Sequence, residues 1–245
     1  VSKVTQIDNM FNENIMFNQP IQVWKVGTVQ TFSNMFHGAN ALKAVYDGTP
    51  GFGNTPTHEF FNKTPITQAN IQIAVDAWCT DSTTATGTYG HIRGWDVSAV
   101  TNMNALFSSK TTFNDDISGW DVSSVTNMEF MFESSGFNNG QTNNEGTAPL
   151  NWDVSNVTNM NAMFNVAQAF NQPIGNWDVS KVTNMYAMFV NTPFNQPLAN
   201  WERTGSTLGN VTDMSGMFND APAFNQPIGN WDVSNVTNMQ VMFNE

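Results

Sequence analysis

One segment recurs along this chain, and it constrains the fold more than any other feature. Trp95, Trp120, Trp152, Trp177, Trp201 and Trp231 each open a similar unit. The fullest copy reads W-D-V-S-N-V-T-N-M-N-A-M-F over residues 152–164, followed by F-N-Q-P-I over 170–174. Trp95 to Trp120 and Trp152 to Trp177 each span 25 residues, and Trp177 to Trp201 is one shorter. Trp120 to Trp152 spans 32 residues and Trp201 to Trp231 spans 30, so seven extra residues fall in 134–148 and five in 202–210. A fixed period of this length marks stacked repeats, with the extra residues placed in loops.

The amino-terminal stretch follows the same pattern. Val4-Thr5, Met10-Phe11 and F-N-Q-P-I at 17–21 align with 157–158, 163–164 and 170–174, and Trp24 opens a weaker copy that runs to Phe36. The chain starts inside one repeat and stops inside another. A repeat end exposes core side chains, so further repeats, a cap or a neighbouring subunit is expected beyond each end.

Within a unit, Ile174, Trp177, Val179 and Val182 fall at positions 1, 4, 6 and 9, the spacing of a leucine-rich repeat. Alternation over 177–180 predicts a short strand with Trp177 and Val179 inward and Asp178 and Ser180 outward. Met185, Met188 and Phe189 at i, i+3, i+4 predict one face of a helical turn. The F-N-Q-P segment reads as a turn, its Asn bonding to its own backbone. The expected fold is therefore an α/β repeat solenoid. Its leucine-rich-repeat-like coils of about 25 residues each hold a short parallel strand plus a short helix or helical turn.

Residues 37–94 break the pattern. Gly, Pro and Thr crowd 43–65, whereas Ile71, Ala74, Val75 and Trp78 lie at i, i+3, i+4, i+7 and predict a helix over 66–79. Asp81 is placed to cap a second short helix ending near Gly87 or Gly90. The expected organisation is a first repeat segment at 1–42, a linker at 43–65, a helical capping module at 66–91 and a main array at 92–245.

Composition narrows the function. The net charge is −12 and only 11% of the 245 residues are charged, which excludes charge-driven disorder and leaves no basic stripe for nucleic acid. A lone cysteine, Cys79, excludes an intrachain disulfide framework. No apolar run reaches the ~20 residues of a bilayer span. The three histidines, His37, His58 and His91, lack metal-ligand spacing, no G-x-S-x-G elbow occurs, and Gly51-Phe-Gly53 lacks the third glycine of a nucleotide loop. Neither a catalytic site nor a required cofactor is expected.

The constellation that rises above this background is an acidic row. Asp96, Asp121, Asp153, Asp178 and Asp232 hold the same outward position in successive units, with Glu202 near it. At a strand spacing of ~4.8 Å, neighbouring carboxylates repel by roughly 0.8 kcal/mol even in water. Three readings follow: each Asp bonds locally to the next Ser or backbone, Asp121, Asp153 and Asp178 offer oxygen ligands to calcium, or the row faces a basic partner. Asn62, Asn156, Asn210 and Asn235 fit the glycosylation sequon, which matters in a eukaryotic source.

The W-D-V-S-x-V-T-N-M-x-x-M-F unit followed by F-N-Q-P-I resembles the repeat of the BspA-like leucine-rich-repeat surface proteins, over 1–36 and 95–245. It departs from that pattern at Lys25 and Glu202, where Asp is usual, and at 30–32. The resemblance implies a secreted or surface-anchored protein, in several members an adhesin, with no shared catalytic residues. The expected function is an extracellular or cell-surface scaffold that mediates adhesion to protein or glycan. The alternative is a structural subunit of an extracellular filament, sheath or surface layer that self-associates.

Overall fold

The structure is a computed structural model that describes residues 3–142, 149–198, 201 and 208–244. Glu202 and most of the five-residue insertion lie outside the described residues, as does the 143–148 part of the longer one. The chain divides into two compact units, Val1–Asp96 and Val97–Glu245.

In the second unit the repeats stack, but not as expected. Among the described residues no strand joins a sheet; the contacts are isolated parallel bridges linking Asn102, Asn127, Asn159, Asn184, Asp213 and Asn238 in turn. The α/β coil with a strand at W-D-V-S is thereby corrected. The Trp177 and Val182 amides bond within their own coil, to Ile174 and Val179, and the Ser180 amide folds back onto the Asp178 carboxylate at 3.0 Å. A segment whose donors close locally has none left for a strand ladder. The inward alternation still holds: Trp177 and Val179 are buried.

The helical turn is corrected as well. Met188 N–H donates to Met185 O, as in a turn, but Ala187 lies at φ 53° and Asn191 at φ 51°, in the left-handed region. In this stretch every second N–H is aimed out of the coil, while those of Met188 and Val190 donate within it. The N–H groups of Met185, Ala187, Phe189 and Asn191 donate to the carbonyls of Asp213, Ser215, Met217 and Asn219 in the next coil, at 2.9–3.0 Å. An α-helix would consume these donors internally and leave nothing to join the coils. Side chains at i, i+3, i+4 turn inward in either geometry, which is why the apolar spacing pointed to a helix.

The left-handed positions recur. Ala105, Phe130, Ala162, Ala187 and Val241 occupy one column, and Ser109, Ser134, Val166, Asn191 and Asp220 a second. A β-branched residue is least suited to this conformation, and each such position costs roughly 1–2 kcal/mol. Val166, at φ 58°, is half-buried, and its counterpart in the next coil is Asn191. Replacing Val166 by Asn is expected to raise stability by about 1 kcal/mol, read as a higher urea midpoint at unchanged slope.

Aromatic rings fill the interior in columns. Phe107, Phe132, Phe164, Phe189, Phe218 and Phe243 stack at centroid distances of 5.3–5.8 Å with interplanar angles of 3–9°. Each of the first five also stacks on the F-N-Q-P-type phenylalanine of its own coil, as Phe164 does on Phe170 at 3.7 Å. Trp120, Trp152, Trp177, Trp201 and Trp231 are buried; Trp152 and Trp177 stack at 6.2 Å and Trp201 and Trp231 at 6.1 Å.

The first unit holds two coils in the same register. Asn9, Phe11 and Glu13 N–H donate to the carbonyls of Ser33, Met35 and His37, beside a single parallel bridge at Gln6 and Thr31. Residues 43–65 pack against them: Phe36 N–H donates to Asn54 O, and Tyr46, Phe60 and Phe61 join the core of Val26, Met35 and Phe36. Three helices follow in order, α1 (Asn40–Tyr46), α2 (Ile71–Thr80) and α3 (Ser82–Tyr89). α2 starts five residues later than the expected 66. Ile71, Val75 and Trp78 are buried as its spacing required, and Trp78 meets Trp95 edge-on at 6.1 Å. The Asp81 carboxylate caps α3 by accepting the amides of Thr83 and Thr84, and Gly90 ends it at φ 84°. Burial lowers the pKa of Lys63, partly offset by Glu59, and its ammonium donates to Gly87 O at the end of α3.

A candidate interaction face

Three rows of polar side chains lie on the outer side of the second unit, each fixed by the repeat. The threonine row is Thr101, Thr126, Thr158, Thr183, Thr212 and Thr237, all exposed. From Thr126 onward, each residue donates both its amide (2.8–2.9 Å) and its hydroxyl (3.1–3.2 Å) to the carbonyl of the preceding threonine. The hydroxyls are thus held in one rotamer, with their methyl groups beside them. The following residues, Asn102 to Asn238, accept the amide two positions on through Oδ1, with Asp213 serving in the same way.

The acidic row is present at the positions expected from the repeat. Asp96, Asp121, Asp153 and Asp232 are exposed and Asp178 is half-buried. Asp121, Asp153, Asp178 and Asp232 each accept the amide of the serine two residues on at 3.0–3.1 Å. The Ser155 hydroxyl and then its amide hold the Asp153 carboxyl below the usual carboxylate range, and Ser234 does the same for Asp232. These bonds are local to each coil. Among the described residues no three His, Cys, Asp or Glu side chains converge as a metal site would require, so Asp121, Asp153 and Asp178 are not brought around one point.

The sequon positions form the third row. Asn156, Asn210 and Asn235 donate their Nδ2 to the carbonyls of Ser123, Ser180 and Gly209 in the preceding coil, at 2.6–2.9 Å. Lys181 takes this place in its own coil and donates to Asn156 Oδ1 at 2.6 Å. In the first unit, Asn62 instead lies at φ 62° and accepts the Val26 amide. The threonine row was not foreseen, although the constancy of Thr in V-T-N-M signalled a position under one structural demand.

Each of the three histidines has its own neighbours. His37 contacts Glu13 and Asn12 at 3.1 Å, His58 meets the Phe32 ring edge-on, and His91 packs on Trp78. Among the described residues no helix is long and apolar enough to cross a membrane.

No curated protein and no solved structure matches the chain significantly. One family model matches it three times, over residues 1–78, 59–150 and 134–245, in keeping with a repeat protein. Since these overlapping matches span its whole length, the chain belongs to the family described as Mycoplasma protein of unknown function, DUF285.

Proposed function

We propose that the protein is a cell-surface or extracellular scaffold of BspA-like type that adheres to protein or glycan through the Thr/Asn/Asp face. The observation that carries this reading is the preset order of that face. Its threonine side chains are exposed and repeat once per coil, and these together with the asparagines and aspartates beside them are held by bonds to neighbouring coils or to their own turn. Side chains already ordered lose little entropy on binding, and evenly spaced weak contacts add by multivalency. Converting Asp121, Asp153 and Asp178 together to Asn, with the fold intact by circular dichroism, is expected to weaken adhesion of chain-coated beads to immobilised glycoprotein about tenfold. Loss on chelation would point to a bridging cation, and loss with salt alone to a basic partner. Adhesion unchanged by the triple substitution would reject the face.

The second reading, a self-associating structural subunit, is favoured by a different observation. Large apolar side chains are exposed within the described residues away from the first and last coils: Ile73 on α2 in the first unit and Tyr186 in the second. Exposed apolar groups of this size mark association surfaces.

A further inference from the structure

We infer that the first unit carries a small binding site for the acetamido group of an N-acetylated hexosamine, with Gln22 as its hydrogen-bond donor. The site is separate from the Thr/Asn/Asp face, which lies in the second unit. It begins as a departure from the repeat. In four coils of the second unit a small residue stands at one place: Ser118, Gly175, Ala199 and Gly229 follow Ile117, Ile174, Leu198 and Ile228. The reason is visible at Gly175, where a Cβ would run into the Pro197 carbonyl of the next coil. After Ile21 the same place holds Gln22. Here residues 62–64 run alongside instead: Asn62 and Lys63 N–H donate to the Trp24 and Gln22 carbonyls, and Thr64 N–H donates to Thr88 O.

The Gln22 side chain is enclosed but not satisfied. The residue is 3% exposed, and its Nε2 has no hydrogen-bond partner among the described residues. Gly90 leaves the amide its place, since a Cβ there would collide with Gln22 Oε1. The large majority of buried side-chain donors are paired, so an unpaired one points to a missing acceptor. Gln22 borders a partly open cavity of about 60 Å³ whose walls include Val23, Pro65, Ile66, Tyr89 and Asp96. All of its lining residues belong to the first unit.

Size and chemistry select the ligand. At roughly 10–15 Å³ for each water-sized group, the cavity takes about four such groups, a substituent and not a whole sugar. An acetamido group fits that space. Its carbonyl oxygen supplies the acceptor that Nε2 lacks, and its methyl group packs on Val23, Pro65 and Ile66. Its N–H offers a donor to the exposed Asp96 carboxylate. Rotation of the Gln22 amide about its last side-chain bond, a broad torsion, turns Nε2 to the carbonyl. The pyranose stays outside, its C–H face on the half-buried Tyr89 ring. A plain hexose leaves the donor unpaired, and a free amino sugar brings a charge into an apolar cavity.

The test is titration of the chain with N-acetylglucosamine, followed by backbone amide NMR shifts, with glucose and glucosamine as controls. Saturable shifts at Gln22 and the cavity walls are expected in the millimolar range, with both controls at least about tenfold weaker. Gln22→Leu removes the donor at similar volume and is expected to bind at least about tenfold more weakly. Val23→Phe fills the cavity from a half-buried wall and is expected to abolish the shifts; it replaces Gln22→Leu if that variant loses its circular dichroism spectrum. Joint conversion of Asp121, Asp153 and Asp178 to Asn is expected to leave sugar binding unchanged, so failure of this site and failure of the adhesive face are read separately. Absence of saturable shifts up to the solubility limit, as for a cavity that holds only water, overturns the inference. So does equal binding of glucose, or binding unchanged by Gln22→Leu. N-acetyl-lysine bound as tightly as N-acetylglucosamine would overturn the sugar as ligand.

Discussion

Phe189→Ala is expected to lower the stability of the second unit by about 3–5 kcal/mol, the range for truncating a buried aromatic. The ring is fully buried and stacks on Phe164, Phe194 and Phe218 at 5.8, 4.3 and 5.5 Å. Removing it empties one site and uncovers faces of three other rings in three successive coils. Neighbouring coils carry most of each other's stability, so the loss should propagate along the stack. Urea unfolding followed by tryptophan fluorescence would measure it, because Trp177 and Trp201 lie in the same core. A midpoint that does not move would contradict a shared aromatic interior.

The second large effect concerns Asn138, which is almost wholly buried. Its Oδ1 accepts the Asn171 amide at 3.1 Å and Gln172 Nε2 at 2.6 Å, and its own amide N–H donates to Asn114 Oδ1 at 2.7 Å. The pattern continues from Asn171 to Asn195 and from Asn195 to Asn225, an asparagine ladder through the F-N-Q-P segments. Asn138→Ala would remove the side-chain acceptor of two buried donors, the Asn171 amide and Gln172 Nε2, at about 1–3 kcal/mol each. A loss of about 2–5 kcal/mol is expected. Asn138→Asp keeps both acceptor positions, so it is expected to lose less on thermal denaturation near neutral pH. Equal losses for the two variants would mean that the side chain acts by volume alone.

These two positions show what could be read from the residues and what could not. The inward-facing Trp, Val, Met and Phe were legible because side-chain direction depends on spacing, and the recurrence of each type at one place in the period identified the stack. Backbone geometry was not legible. Met185, Met188 and Phe189 meet on one side of a helix and of the observed turns alike, and the left-handed residues are glycine only at Gly216 in their column. Ala105, Phe130 and Ala162 carry no local sign that φ is positive there. The asparagines of F-N-Q-P were read as turn residues because their partners lie in another coil, 24 to 33 residues away. The acidic positions recur at one place in the period. The bond from each Asp to the serine two positions on was one of the readings left open, and it is the one the structure displays.

The backbone bonds between coils also determine how such a stack responds to tension. Its inter-coil bonds point along the stacking direction, so pulling in that direction loads one interface at a time instead of shearing many bonds together. Coils should then peel off singly at modest force, each releasing about 85 Å of chain if 25 residues extend fully. In a force spectrum this would appear as a sawtooth whose steps follow coil lengths of 24 to 32 residues, and a molecule anchored at a moving surface would lengthen under load without parting.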